Sequence, residues 1–220
     1  MHISQATTPL RFIFWGGLLC VLDFSFSSST TVNGVVGSGF RFDILNDLVG
    51  MILVTIGVVK IGKFEIDLTY RRQMLFVYFC CIIGCIKAFL GHFIFTPSAI
   101  VSLIGSATSI LSLVGTILFA NAMVQLASSY QLHRSAASWR LTRILMVLFW
   151  CVPMGISNLM VLTGGFANLG LIVIPLLLAM IVPLIHLFIS TSRMREEAGQ
   201  SVGLVKVAQK AAQKNSGAIN

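Results

Sequence analysis

The chain has 220 residues, of which 56% are hydrophobic and 10% are charged, and its mean hydropathy is +0.93. This composition excludes an ordinary soluble domain, in which about 25% of the residues are charged. The net charge of +8 does not indicate a nucleic-acid partner, because the basic residues are separated by apolar stretches and form no single patch. We therefore expect the lipid bilayer to be the main partner of this chain.

Six apolar stretches have the length of transmembrane helices. An α-helix rises about 1.5 Å per residue, so about 20 residues cross roughly 30 Å of hydrocarbon. The predicted spans are about residues 12–28, 42–61, 73–95, 99–127, 144–162 and 166–190. Pro153, Pro175 and Pro183 each remove a backbone hydrogen bond from the fifth or sixth span and predict kinks there. The predicted fold class is an all-α integral membrane protein, a bundle of six transmembrane helices with kinked fifth and sixth helices.

Three polar segments separate or follow the spans. Residues 27–40 are rich in Ser, Thr and Gly and predict a flexible connector or a re-entrant loop. Residues 128–143 predict a basic connector, with Tyr130 and Trp139 anchored at the membrane interface. Residues 193–220 predict a basic cytoplasmic tail that follows the six-span domain of residues 1–192.

The basic residues predict the orientation of the bundle. With both termini in the cytoplasm, all of the 15 Lys and Arg residues except Arg41 and Lys87 lie on the cytoplasmic side. Cytoplasmic loops carry an excess of Lys and Arg, so this orientation is the expected one. The first span resembles a signal peptide in part, but Asp23 in its apolar region favours a retained helix over a cleaved one. The predicted location is the cytoplasmic (inner) membrane of a bacterial-type cell, crossed several times.

Four polar side chains fall at a similar predicted depth inside the bundle, closer to the outer surface. They are Asp23, Asp47, Lys87 and Asn158. A charge that faces lipid costs several kcal/mol, so we expect Lys87 to be buried beside Asp47 or Asp23. Three further polar residues, which would form an outer vestibule, lie just beyond this layer: Arg41, Asp43 and His92. The layer is interpreted either as a structural ion pair or as a site for a proton, an ion or a solute.

Small residues recur at helical spacing in two of the spans. In the second span the repeat includes Asp47, Gly50, Val54 and Gly57, and in the fourth span it includes Gly105, Ser109, Ser112, Thr116 and Ala120. Small side chains let two helices approach closely inside a membrane. Both faces are therefore predicted to pack against other helices.

The sequence predicts no catalytic site, metal or cofactor. The five cysteines lie inside apolar spans, where packing is expected in preference to a disulfide framework or a copper or zinc site. Ser157 and His186 would be the members of a serine nucleophile pair, but their predicted depths differ by about 11 Å, too much for a hydrogen bond.

Two functions are compatible with these patterns. The first is a non-enzymatic interaction or assembly component whose small-residue faces bind other helices, from the same protein or from another membrane protein. The alternative is a small transporter or an ion- or proton-conducting protein that uses the outward-facing polar layer. A small-residue stripe left exposed in the monomer would favour the first, and a water-accessible cleft at the polar layer would favour the second.

Overall fold

A computed structural model describes residues 3–21, 25–32, 35–43, 47–91, 99–151 and 181–200, with backbone only for residues 25–43, 91, 99–104 and 106. After a 3-10 turn over Ile3–Ala6, the helices are α1 Thr7–Val21, α2 Asp47–Ile61, α3 Leu68–Gly91, α4 Ala99–Ser129, α5 His133–Met146, and α6 over residues 181–200. A π-helical turn, Val147–Cys151, follows α5. The strands β1 Ser25–Val32 and β2 Val35–Asp43 form an antiparallel hairpin between α1 and α2.

Among the described residues, two helical segments are long and apolar enough to cross a membrane. They are Leu68–Leu90 in α3 and Ala107–Ser129 in α4. Only 22% of the most apolar stretch of α3 is buried inside the protein. Leu75 and Phe79 on its outer side are 68% and 55% exposed. Soluble monomers seldom expose such a continuous apolar surface. The helical part of the chain therefore indicates association with a membrane.

The helix boundaries differ from the predicted ones mainly where polar residues cap or extend a helix. The third predicted span began at residue 73, but α3 begins at Leu68, because Asp67 accepts the backbone N–H of Tyr70 at 2.6 Å and caps the first turn. Helix α4 begins at Ala99, as predicted, and ends two residues after the predicted residue 127. Residues 92–98 lie outside the described part of the chain.

The β1–β2 hairpin corrects the predicted ends of the first two spans, whereas the rest of the described chain consists of helices and their connections, in agreement with the all-α prediction. Ser25 pairs with Asp43 and Phe26 with Phe42, so these residues are extended, not helical. Helix α1 ends at Val21 and α2 begins at Asp47, and each has 15 residues in place of the longer predicted spans. The segment was interpreted as a loop because of its Ser, Thr and Gly content, although Thr, Val and Phe also favour strands.

Helix α5 corrects the predicted basic connector over residues 128–143. Helix α4 ends in a turn in which Gln131 adopts a left-handed φ of 58° and Leu132 donates its N–H to the carbonyl of Ala127 at 2.8 Å. This is the Schellman arrangement, which closes a helix and redirects the chain. Helix α5 then starts at His133, and Trp139, predicted to be an interfacial anchor, is fully buried.

Helix α6 continues ten residues beyond the predicted end of the sixth span at residue 190. The first eight residues of the predicted tail are therefore helical, because Met194 and Ala198 are fully buried in the bundle. Pro183 is buried near the start of the described part of α6. Pro153 and Pro175 lie outside the described residues, as do most of the fifth predicted span and the first part of the sixth.

Among the described residues, those that are most deeply buried cluster at one end of the bundle. Neighbouring helices pack in chain order, and α6 packs against both α5 and α1. The end is formed by the start of α1, the end of α2, the start of α3, the end of α4, α5 and the end of α6. Its fully buried side chains include Leu10, Ile61, Tyr70, Met123, Trp139 and Met194. The hydroxyl of Tyr70 donates to the carbonyl of Ile61 at 2.8 Å, which joins α3 to α2 there.

Candidate interaction faces and a central cavity

Glycines bring the backbones of α1 and α2 into direct contact. A methyl group built on Gly16 would lie 2.6 Å from the carbonyl oxygen of Gly50, and one built on Gly50 would lie 2.8 Å from that of Gly16. One built on Gly57 would lie 2.7 Å from the carbonyl oxygen of Pro9. The face of α2 that carries Gly50 and Gly57 therefore lies against α1. Two backbones this close make extensive van der Waals contact. Inside a membrane this contact stabilises helix pairs, because lipid tails are as apolar as the side chains and the hydrophobic effect does not hold helices together.

Thiol and hydroxyl side chains connect α2, α3 and α4. The Sγ atom of Cys85 on α3 lies 3.5 Å from the Thr55 hydroxyl on α2. On the other side of α3, the thiol of Cys80 donates to the carbonyl of Leu111 at 3.6 Å, and a methyl group on Gly115 would lie 3.0 Å from Cys80. Gly115 of α4 thus lies against Cys80 of α3, although it was not part of the predicted small-residue stripe.

The predicted stripe on α4 divides into a packed end and an open end. Ala120 is fully buried, whereas Ser112 is exposed, and no heavy atom of the described residues lies within 4 Å of a methyl group built on Gly105. Ser109 donates its hydroxyl to the carbonyl of Gly105 at 2.8 Å, and Thr116 donates to that of Ser112 at 2.7 Å. Hydroxyls bonded to their own helix need no partner on another helix. We call Gly105, Ser109 and Ser112 the open stripe.

The structure places the polar-layer residues differently from the prediction. Lys87 is exposed, whereas it was expected to be buried beside an acid. Asp47 is partly buried at the start of α2, where its carbonyl lies 3.8 Å from the thiol of Cys20. The number of residues from the membrane boundary predicts the depth of a side chain but not the direction in which it points from the helix. Near Lys87, the α3 residues that face α2 are Gly84 and Cys85. Asp23, Asn158 and His92 lie outside the described residues.

The two predicted vestibule residues that the structure describes belong to the hairpin. Arg41 and Asp43 lie on β2, where their backbones pair with Ser27 and Ser25 of β1. The prediction had placed Arg41 at the start of a helix and Asp43 inside it.

A cavity of about 260 Å³ lies in the middle of the bundle. Each of α1, α2, α3, α4 and α6 contributes side chains to it, and most of these are aliphatic, aromatic or thiol groups. Examples are Phe14, Val54, Cys81, Thr116 and Phe188. An apolar cavity of about 150 Å³ is large enough to bind benzene and stays dry. The cavity therefore has the size and the lining to hold part of an apolar molecule.

The cysteines do not form a metal centre in the described part of the chain. All five are described there, none forms a disulfide, and no group of three or more His, Cys, Asp or Glu side chains has the geometry to hold a metal ion. Cys20, Cys80 and Cys81 line the cavity. Their position beside apolar side chains suits small, polarizable packing groups.

A buried cluster of hydroxyl groups and one imidazole joins α5 to α6. The Ser190 hydroxyl lies 2.7 Å from that of Ser138 and 2.7 Å from that of Thr142. The Nδ1 atom of His186 lies 2.8 Å from the Thr142 hydroxyl, which itself donates to the carbonyl of Ser138 at 3.1 Å. Each hydroxyl can donate one proton and accept others, so the cluster gives Ser138, Thr142, Ser190 and the imidazole of His186 a polar partner inside the protein.

Glu197 of α6 caps the start of α5. Its carboxylate accepts the backbone N–H of Ser135 at 2.9 Å and also the Ser135 hydroxyl. The residue before α5, Leu132, has no side chain that can cap the helix. A carboxylate at this end satisfies an unpaired N–H and opposes the positive end of the helix dipole.

The α5–α6 interface was not predicted from the sequence, although the α5 residues that form it recur at helical spacing. Ser135, Ser138, Trp139 and Thr142 follow one another at steps of three, one and three, which is the spacing of one helix face. The charged residues between them suggested a connector. Trp139 also donates its ring N–H to the sulfur of Met194 at 3.2 Å, so its polar atom is satisfied inside the protein.

No known family, curated protein or solved structure matches this chain.

Proposed function

We propose that this chain is a non-enzymatic, multi-pass protein of the cytoplasmic membrane that acts as an interaction or assembly component of a membrane complex. The proposal keeps six spans with both termini in the cytoplasm, an arrangement that puts nearly all Lys and Arg on one side. Membrane insertion is supported by the apolar α3 and α4, and by the direct backbone contact between α1 and α2. The spans beyond α3 and α4 are part of the proposal.

The observation that carries the proposal is the open stripe of α4. No described heavy atom lies within 4 Å of a methyl group built on Gly105, and the hydroxyl of Ser109 is already satisfied by its own helix. Ser112 is exposed and also lines the central cavity. Two small residues four apart, flanked by a third, let another helix approach closely, and Ser109 needs no partner on that helix.

The partner that fits this face is a second copy of the chain. All copies insert into the membrane in one orientation, so two of them present the same small residues at the same depth. A two-fold axis through the stripe then brings identical surfaces together. The helices α4 would cross with the open stripes in contact.

The test is the oligomeric state of the full chain in lipid nanodiscs and by native mass spectrometry. We expect a dimer for the natural protein and a monomer for Ser109→Leu and Ser112→Leu, because the larger side chain separates the helices. Val114→Leu is the matched control, since Val114 is 40% exposed on another face of α4 and should leave the dimer intact. A natural protein that is monomeric, or a dimer that survives both Ser variants, would contradict the proposal of self-assembly.

The cavity favours a second candidate function, which is to hold an apolar molecule such as a lipid acyl chain inside the bundle. Its lining is largely apolar and contributed by five helices. The transport alternative, which requires a hydrated polar layer, gains no support from this lining or from the exposed Lys87. An ion in such a cavity would lose its hydration without gaining charged ligands.

A further inference from the structure

A second, polar pocket lies where the beginning of α1 meets the end of α6. It has a volume of about 370 Å³ and differs from the central cavity in its lining. Its described lining residues are Thr7, Thr8, Arg11, Trp15 and Arg195. Two arginines from different helices thus face one space.

The packing of α1 against α6 fixes both arginines at the same end of the bundle. The rings of Phe14 and Phe188 meet edge to face with their centroids 5.4 Å apart, and a methyl group on Gly17 would lie 3.5 Å from Phe188. The helices run antiparallel, so one turn back from Phe14 and two turns on from Phe188 reach Arg11 and Arg195. Their convergence follows from the register of two helices.

The described lining of this pocket carries positive charge, which favours an anionic ligand. None of its described lining residues is acidic. The carboxylate of Glu197, which is close in sequence, is engaged by Ser135 on α5. Two guanidinium groups in one pocket repel each other unless an anion lies between them. Arginine also presents paired N–H donors that match the oxygen atoms of a phosphate group.

The uncharged lining residues of the pocket, two threonines and a tryptophan, indicate which class of anion would fit. The Thr7 hydroxyl donates to the carbonyl of Ser4 at 2.8 Å, whereas Thr8 is exposed and lines the pocket. Trp15, one turn beyond Arg11, is 49% exposed and lines the same pocket. Tryptophan is enriched at the headgroup level of membranes, where an apolar ring and a polar N–H are both accommodated.

We propose that this pocket binds the phosphate group of an anionic phospholipid, with Arg11 and Arg195 as the ligands of the phosphate and Trp15 beside the glycerol and upper acyl region. Basic pockets between membrane helices bind such headgroups on the cytoplasmic side. The inference rests on the proposed insertion and orientation, since these put Arg11 and Arg195 at the cytoplasmic headgroups. It does not depend on whether the chain forms a dimer.

The experiment measures lipid retention and thermal stability of the full chain purified in detergent. The probes are phosphatidylglycerol, phosphatidylcholine and inorganic phosphate, added separately. We expect phosphatidylglycerol to be retained by native mass spectrometry and to raise the melting temperature, and the other two to do neither. Equal retention of phosphatidylcholine would show that the pocket does not select anionic lipid. Equal stabilisation by inorganic phosphate at the same concentration would overturn the assignment to a lipid.

Variants of the two arginines test the residues. Arg11→Gln and Arg195→Gln should each weaken phosphatidylglycerol binding about tenfold or more, as expected for the loss of a charge-assisted hydrogen bond. Arg193→Gln is the matched control, because Arg193 is an exposed arginine on the same helix that does not line the pocket. Arg11→Lys and Arg195→Lys keep the charge and should weaken binding less, and they preserve the test if a Gln variant does not fold. Natural affinity in both Lys variants and in every folded Gln variant would overturn the proposal.

Discussion

At the scale of single residues, the contact between α1 and α2 depends on the absence of side chains. We expect Gly50→Ala to lower the free energy of unfolding by about 1–3 kcal/mol, the usual cost of forcing extra volume into a packed interior. The new methyl group would lie 2.6 Å from the Cys20 sulfur and 2.8 Å from the Gly16 carbonyl oxygen, and a backbone cannot move aside cheaply.

Thermal unfolding in detergent measures this effect, with Gly199→Ala as the control. Within the described part of the chain, no heavy atom lies within 4 Å of a methyl group built on Gly199, so alanine there should be neutral or slightly stabilising. If Gly50→Ala has the same melting temperature as Gly199→Ala, the backbones of α1 and α2 are farther apart than described.

Lys87 is the residue whose predicted role changes most. Because its side chain is exposed, we expect Lys87→Met to change the free energy of unfolding by no more than about 0.5 kcal/mol, or to stabilise the protein. The double variant with Asp47→Asn should show the sum of the two single effects. A coupling energy of more than about 1 kcal/mol between the two substitutions would instead support the buried ion pair that the sequence predicted.

At the scale of helices, the α5–α6 interface depends on Glu197. We expect Glu197→Gln to lower the free energy of unfolding by about 1–2 kcal/mol, because the charge that opposes the α5 dipole is lost and one oxygen acceptor is replaced. Glu196→Gln, a change to the exposed neighbouring acid, is the control and should have little effect. The measurement is thermal unfolding, and equal melting temperatures for the two variants would show that Glu197 does not cap α5.

The helices that the sequence predicted best are those in which one property dominates. Helices α3 and α4 are long apolar runs, and hydropathy alone placed them, with α4 starting at the predicted residue. Helix α5 mixes Arg and His with buried Ser and Trp139, so composition suggested a connector although the spacing was helical. The hairpin was missed for a similar reason, since its Ser and Gly content is typical of loops and its pairing depends on a partner strand.

The candidate site was less predictable than the helices, because depth along a helix says nothing about rotation around it. The glycine spacing of α2 identified a face, and the structure places that face on α1. For Lys87 the same arithmetic gave a plausible depth, but the rotation of α3 turns this side chain outward. The arginine pocket and the cavity could not be predicted, since each combines residues from helices that are distant in sequence.

At the scale of the whole molecule, the central cavity predicts that the protein carries an apolar molecule through purification. We expect Thr116→Leu to reduce the amount of this molecule, because leucine extends into the cavity that Thr116 lines. The Thr116 hydroxyl bonds only to its own helix in the described contacts, so little stability is lost with it. Thr108→Leu is the control, since Thr108 makes the same kind of bond but does not line the cavity.

Extraction of the purified protein followed by mass spectrometry of the lipids and other apolar compounds gives the measurement. Equal amounts in Thr116→Leu, Thr108→Leu and the natural protein would show that the cavity is empty.

The fully buried side chains at one end of the bundle have a consequence for motion. Leu10, Ile61, Trp139 and Met194 join the ends of four helices there, while a cavity of about 260 Å³ lies farther along α1, α2 and α6. Opening that end would expose large apolar side chains and break the α5–α6 hydrogen bonds, whereas widening the middle exposes little new surface. We therefore expect the packed end to stay closed and the helices around the cavity to move when a bulky molecule enters from the bilayer.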